Sequence, residues 1–89
     1  MEEIDAALNT YRVLILNEDP YDVQGDMYSV AFFVDVSNYP YIDHESRIKA
    51  AEITMEVLAD NEHYEKCVDL RDYIKELKDE VQRLSTKNN

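Results

Sequence analysis

The spacing of apolar residues in the last third of the sequence constrains the fold more than any other feature. Within residues 64–84, apolar side chains recur at alternating intervals of three and four, at Cys67, Leu70, Ile74, Leu77, Val81 and Leu84. Charged residues fill most of the other positions. These intervals place the apolar side chains on one face of an α-helix, so we predict a helix of about 22 residues over 62–84. The residues after it, 85–89, are expected to form a polar tail.

A second amphipathic helix is predicted just before this one. Apolar residues recur at helical spacing over 48–58, and Asp43 precedes them as a candidate N-cap. The polar stretch ADNEH then separates the two helices. We therefore predict a helix over 45–59 and an antiparallel two-helix hairpin over 44–84.

The two predicted helices differ in length, which leaves the end of the longer helix without a partner. Val81 and Leu84 fall in this extension. Either the predicted sheet described below or a second copy of the chain must cover them. Leu77, Val81 and Leu84 are therefore the candidate contacts of a homodimer formed through the last helix.

Two segments nearer the start of the chain show the period-two alternation of β-strands. They are TYRVLIL at 10–16 and MYSVAFFVDV at 27–36, both rich in β-branched and aromatic residues. The stretch NEDPYDVQGD between them is rich in turn-forming residues. We therefore predict an α+β fold, in which a small antiparallel β-sheet of about two main strands packs against the antiparallel pair of helices. The 89 residues are expected to form a single domain, with the sheet and its long acidic loop over 10–36.

Negative charge is concentrated in the half of the chain that contains the predicted sheet. The whole chain has 20 acidic and 9 basic residues, a net charge of -11. Ten of the acids and a single base, Arg12, fall within residues 1–46. So strong a negative field repels nucleic acids and anionic membranes, and we expect no direct binding to either. The same field favours a partner protein that presents a basic surface.

Tyrosines accompany these acids, and tyrosine is common in protein interfaces. Five of the seven tyrosines lie in the acidic half. The candidate partner-binding residues are Glu18, Asp19, Tyr21, Asp22, Asp26, Tyr39, Tyr41 and Asp43. One hypothesis is a small acidic protein that occupies the nucleic-acid-binding surface of a partner, as a DNA mimic or inhibitor does, by analogy with compact inhibitors encoded by phages. The alternative is simple solvation, in which the acids keep the small sheet soluble and prevent pairing at its edges.

A second functional hypothesis comes from the order of residues across the predicted hairpin. Met55 is followed nine residues later by Tyr64, and then by Glu65, Cys67, Val68, Leu70, Arg71, Asp72, Ile74 and Leu77. Over residues 55–77 this order resembles the UVR motif, a small helical hairpin found in a bacterial excision-repair helicase subunit, in its nuclease partner and in some stress regulators. The resemblance implies an adaptor or regulatory subunit that acts by protein–protein contact. It places that contact near Tyr64, Arg71 and Asp72.

Two departures from the motif bear on the shape of the hairpin. Glu62 stands where the motif has a leucine, and Cys67 and Val68 replace a pair of alanines that lets the helices approach closely. The bulkier side chains imply a wider or differently rotated hairpin.

The sequence has no pattern typical of catalysis or of cofactor binding. It contains one cysteine, two histidines that are far apart, and a single glycine, Gly25, so it has neither a cluster of metal ligands nor a glycine-rich phosphate loop. We therefore expect a non-enzymatic protein with no catalytic residues, no metal site and no cofactor. The lone cysteine and the absence of a long apolar stretch favour a soluble, cytoplasmic protein.

Overall fold

The regular secondary structure of the described part of the protein is entirely helical. The computed structural model describes residues 3–24, 31–37 and 39–87. Within these ranges the chain forms helices α1 (Glu3–Leu14), α2 (Pro20–Gln24), α3 (His44–Asp60) and α4 (Tyr64–Lys87), and no strand. The predicted α+β fold is therefore wrong. None of these four helices combines the length and the apolarity that crossing a membrane requires.

Most of the first predicted strand, at 10–16, belongs instead to α1. Its apolar residues continue a helical face that begins earlier, at Ala6 and Ala7. The buried residues of this helix are Ala6, Ala7, Thr10, Tyr11, Val13 and Leu14. Glu3 and Asp5 in the first turn also favour a helix, because they complement the positive end of the helix dipole. The strand prediction failed because the local alternation of 10–16 is also compatible with this longer helical period.

The second predicted strand has no strand partner in the described part of the chain. Its residues 27–30 lie outside the described ranges, and 31–36 form an irregular segment. The backbone amide of Phe33 donates a hydrogen bond to the hydroxyl of Thr10 in α1, at 2.8 Å. A side chain of a helix thus satisfies a backbone group that a neighbouring strand would satisfy in a sheet. Val34 of this segment is buried in the core.

The two helices predicted from the later part of the sequence are present as α3 and α4. Helix α3 begins directly after Asp43, whose carboxylate accepts a hydrogen bond from the amide of Ser46 at 2.7 Å and caps the helix. Helix α4 continues to Lys87, so positions 85–87 of the predicted polar tail are helical. Positions 88–89 lie outside the described residues.

A tight turn joins α3 to α4 and reverses the direction of the chain. The amide of His63 donates to the carbonyl of Leu58 at 2.9 Å, and the amide of Glu62 donates to the carbonyl of Ala59 at 3.1 Å. This pair of hydrogen bonds is the Schellman motif that ends many helices. Glu62 adopts a φ of 64°, in the left-handed region that favours glycine.

The core forms where α3 contacts both α1 and α4. Small buried residues, Ala7 in α1 and Ala50 and Ala51 in α3, allow the helices to approach closely. The larger side chains that are fully buried are Val13, Leu58 and Leu70. Thr10 and Thr54 are also fully buried, and each donates its hydroxyl to a carbonyl four residues earlier in its helix. Their burial therefore leaves no hydroxyl unpaired.

Candidate functional site

The α3–α4 hairpin is antiparallel, with polar contacts near both ends. Close to the turn, the thiol of Cys67 donates to the carbonyl of Met55 at 3.4 Å. At the other end, Nε2 of His44 lies 3.3 Å from Oε1 of Glu80. Burial raises the pKa of the Cys67 thiol, which disfavours the reactive thiolate. Cys67 therefore serves the contact between the two helices.

The apolar seam of α4 is buried over only part of its length. Ile74 and Leu77 lie in the core, Val81 is half-buried, and Leu84 is 48% exposed. Of the three residues predicted as dimer contacts, Leu77 lies inside the core of its own chain. Leu84 is the accessible one.

An exposed tyrosine, valine and arginine follow one another along the same side of α4. Tyr64 is 63% exposed, Val68 is 45% exposed and Arg71 is also exposed. They are spaced by four and three residues, so they share one side of the helix. Tyr64 and Arg71 were predicted from the motif, whereas Val68 was missed as a surface residue. Its position one turn after Tyr64 is the signal in the sequence that points to it.

Asp72, the third residue predicted from the motif, lies on a different flank of α4. It borders a cleft of about 230 Å³ together with Ile15 and Tyr73. Its Oδ1 is 3.7 Å from Nε of Arg71, a contact between two well-exposed side chains. The structure therefore separates Asp72 from the line of Tyr64 and Arg71.

The buried Tyr11 of α1 makes a polar contact with α4. The hydroxyl of Tyr11 donates to Oδ2 of Asp69 at 2.7 Å, and Nζ of Lys66 lies 5.5 Å from the centre of the Tyr11 ring, within the range of a cation–π interaction. Burial, reinforced by the hydrogen bond to Asp69, raises the pKa of Tyr11 to about 12. These contacts occupy one flank of α4 and leave Tyr64 and Val68 exposed.

Several acids predicted to contact a basic partner have local structural roles. Oε1 of Glu18 lies 2.7 Å from Nη2 of Arg12, and hydrogen bonding to this guanidinium lowers the pKa of Glu18. Asp19 accepts a hydrogen bond from a backbone amide at the start of α2. Asp22 is exposed, and Asp26 lies outside the described residues.

The other predicted residues include the tyrosines of the acidic half and the cap of α3. Tyr21 in α2 is 80% exposed and Tyr41, before α3, is 81% exposed, whereas Tyr39 is partly buried. Hydrogen bonding to Ser46 lowers the pKa of Asp43. Tyr21 and Tyr41 are thus accessible to a partner, while Asp43 stabilises a helix end.

The surface of the described residues is shallow. A cleft of about 320 Å³ at the turn between α3 and α4 is lined by residues 62–66, most of which are polar or charged. No group of three potential metal ligands comes together within the described ranges. The exposed side of α4, with Tyr64 and Val68, is therefore a candidate surface for contact with another molecule.

Comparison with known families bears on the hairpin alone. Residues 45–80 match the UvrB/uvrC motif, UVR. The match runs from the first turn of α3 to the fifth turn of α4, and it covers less than half of the chain. It includes residues 55–77, so the resemblance to the UVR motif is confirmed for this segment, with no family matching the whole chain. Comparisons with curated proteins and with solved structures gave no significant match.

In this chain the UVR-like hairpin has one covered side and one open side. Leu58, Leu70 and Ile74 belong to the same core cluster as Tyr11 and Leu14 of α1, a helix that lies outside the matched segment. The chain therefore covers the apolar side of its own hairpin. The opposite side remains exposed to solvent.

Proposed function

We propose that this protein is a non-catalytic adaptor that binds another protein through the exposed side of its UVR-like hairpin. The observation that carries this proposal is the match of residues 45–80 to the UVR motif, on two helices whose outer side exposes Tyr64 and Val68. The resemblance implies that a hairpin of this kind is used for protein–protein contact.

The covered side of the hairpin is a poor candidate for the contact. Leu70 and Ile74 are buried in a cluster with Tyr11 and Leu14 of α1, and a partner could reach them only by displacing that helix. Displacing α1 would expose apolar surface to water, at a free-energy cost of roughly 25 cal/mol for each Å² exposed. Tyr64 and Arg71 need no such rearrangement, and tyrosine and arginine are the residue types that often dominate binding energy at interfaces.

The acidic-surface hypothesis has less support. It required the acids and tyrosines to lie on and around a sheet, and the described residues contain no strand. Glu18 and Asp43 are engaged in hydrogen bonds within the chain. We therefore assign the contact to the hairpin, and the exposed tyrosines of the acidic half become controls.

Site-specific photo-cross-linking in the native cells tests this assignment. A photoreactive phenylalanine analogue would replace Tyr64 in one variant, and Tyr21 or Tyr41 in two matched variants, since all three side chains are well exposed. We expect a discrete cross-linked protein with the analogue at position 64 and none at 21 or 41. Cross-links only at 21 or 41 would overturn the proposal in favour of the acidic surface.

The cross-linked protein can then be purified and its affinity measured by calorimetry. We expect Arg71→Glu to weaken binding, and the paired change Asp19→Lys with Asp22→Lys to leave the affinity unchanged. The opposite pattern would identify the acidic segment as the binding surface. A cross-link at position 64 to a second copy of this chain would also contradict an adaptor role and would make the site a homodimer contact.

A further inference from the structure

The solvent side of α4 carries two parallel stripes of opposite character. In each stripe, successive residues are four, three, four and three positions apart in the sequence. The cationic stripe is Tyr64, Val68, Arg71, Lys75 and Lys78. The acidic stripe is Glu65, Asp69, Asp72, Glu76 and Asp79. All ten side chains are exposed, and the stripes are offset by one residue, or about 100° around the helix.

The middle of the acidic stripe lies beside α1 and the residue that follows it. Asp69 accepts the hydrogen bond from Tyr11 of α1. Asp72 and Glu76 border the cleft that also includes Ile15, just after α1. This stripe therefore has contacts within the molecule, and its charge adds to that of the acidic N-terminal half.

The cationic stripe lies on the flank of α4 towards α3. Its charged side chains make few contacts with the described part of the chain. Nζ of Lys78 is 3.7 Å from Oε2 of Glu52 in α3, and among the residues that the structure describes Arg71 forms an ion pair with Asp72 at the same distance. Lys75 makes no hydrogen bond or ion pair with any residue that the structure describes. Exposed pairs of this kind contribute little to stability, so they can be exchanged for contacts with a partner.

We propose that the cationic stripe binds an acidic amphipathic helix of the partner protein, with two apolar residues of that helix against Tyr64 and Val68 and its carboxylates against Arg71, Lys75 and Lys78. This inference rests on the proposed adaptor function. The stripe rises over 14 residues, or about 21 Å, which corresponds to about four turns of a partner helix.

Charge complementarity selects an acidic helix over other partners. Three of the nine basic residues of the chain lie within this stripe, although the net charge of the chain is -11. A long polyanion such as duplex DNA would also meet the acidic stripe and the acidic N-terminal half, which repel it. A single helix is narrow enough to contact the cationic stripe alone. Its carboxylates would compete with Asp72 and Glu52 for Arg71 and Lys78, and screening over about 10 Å limits its repulsion by the acids of the N-terminal half.

Two synthetic peptides of identical composition test this inference with the full-length protein. The first places two leucines one turn apart and then three glutamates at the spacing of the stripe, and the second has the same residues in scrambled order. We expect the ordered peptide to bind more tightly in a fluorescence anisotropy titration. Its affinity should fall as salt is added.

Charge-reversal variants locate the binding site. The double change Arg71→Glu with Lys75→Glu should weaken binding of the ordered peptide by on the order of tenfold. Arg83→Glu reverses a charge on the same helix, four residues after Asp79 of the acidic stripe and off the cationic stripe, and should leave the affinity unchanged. A peptide with lysines in place of the glutamates should bind the double variant better than the unmodified protein.

Several outcomes would overturn the inference: equal binding of the two peptides, no measurable binding of either, equal loss in the Arg83→Glu control, or displacement of the ordered peptide by duplex DNA. These failures are distinct from failure of the adaptor function. A partner cross-linked at position 64 whose contacting segment is not acidic would preserve the adaptor function and remove only the acidic helix. Circular dichroism of each variant would verify that it remains folded.

Discussion

The hydroxyl of Tyr11 in α1 donates a hydrogen bond to the carboxylate of Asp69 in α4, with 2.7 Å between the two oxygens, although the two residues are 58 positions apart in the sequence. Tyr11 lies outside the segment that matches the UVR motif, and Asp69 lies inside it. This bond connects the N-terminal helix to the hairpin through a member of the acidic stripe. It offers a direct way to measure how firmly α1 is held against the hairpin.

Removing the Tyr11 hydroxyl should destabilise the protein slightly. In Tyr11→Phe the ring stays buried, but Asp69 loses its hydrogen-bond donor and must be hydrated instead. We expect the free energy of unfolding to fall by about 1 kcal/mol in urea denaturation. Tyr41→Phe, at an exposed position, is the control and should not change it. Equal stability of Tyr11→Phe and the unmodified protein would show that the bond gives no net stabilisation.

The raised pKa of Tyr11 predicts a loss of stability at high pH. The pKa of this phenol rises from 10.0 to about 12 on folding, so the folded state holds the proton more tightly than the unfolded state. The resulting stabilisation is complete below pH 10 and is lost as the pH rises from 10 to about 12, by roughly 2 to 3 kcal/mol.

Comparison with Tyr11→Phe isolates this effect from other groups that titrate at high pH. The unfolding free energy of the unmodified protein minus that of Tyr11→Phe should be about +1 kcal/mol below pH 10 and should become negative as the pH approaches 12 in urea titrations. Parallel pH profiles for the two proteins would contradict a raised pKa at Tyr11.

Replacing Glu62 by glycine should stabilise the protein. Glu62 has a φ of 64° in the turn between α3 and α4, a conformation that costs a side-chain-bearing residue about 1–2 kcal/mol. Glycine avoids this cost but loses about 0.5–1 kcal/mol through the greater freedom of the unfolded chain. We expect a net gain of about 0.5–1 kcal/mol, seen as a higher thermal midpoint.

Asn17 provides the matched comparison for Glu62. It also has a positive φ, of 55°, but asparagine tolerates this region better than glutamate does. Asn17→Gly should therefore stabilise the protein less than Glu62→Gly. A larger gain at Asn17 would contradict the assignment of strain to the turn at Glu62.

Arg47 should be needed to hold the segment before α3. Its Nε donates to the carbonyl of Ile42 and its Nη2 to the carbonyl of Pro40, each at 2.9 Å, while Nη1 lies 3.4 Å from the hydroxyl of Tyr73. Arg47→Lys keeps the charge but cannot reproduce this planar set of donors. We expect a loss of about 1–2 kcal/mol and faster amide exchange over 39–43. Arg83→Lys, on the exposed side of α4, should change neither quantity.

The hairpin could be predicted because its signals are local. The intervals between Leu70, Ile74 and Leu77 specify a helical face, and Asp43 ends the preceding loop with a side chain that caps a helix. The order of residues around Tyr64 and Arg71 was enough to identify the UVR resemblance. None of these features depends on how distant parts of the chain are arranged.

The N-terminal half could not be predicted in the same way, because two interpretations of one pattern competed. The alternation in 10–16 fits a strand, and it also fits the end of a helix whose buried face starts at Ala6. The helix forms here with Tyr11 and Leu14 against the hairpin, where they share a core cluster with Leu70. Burial of that whole face outweighs the modest β-propensity of a few residues.

The sequence by itself determined the two long helices, the reversal of the chain between them and the excess of negative charge, since each follows from local spacing or composition. Only the tertiary structure decided which sides of those helices remain open. Helix α1 covers the apolar side through the core and the contact of Tyr11 with Asp69, and it leaves Tyr64, Val68 and the cations after them exposed. A helical pattern specifies the side chains on each face, but burial of a face depends on which distant segment packs against it.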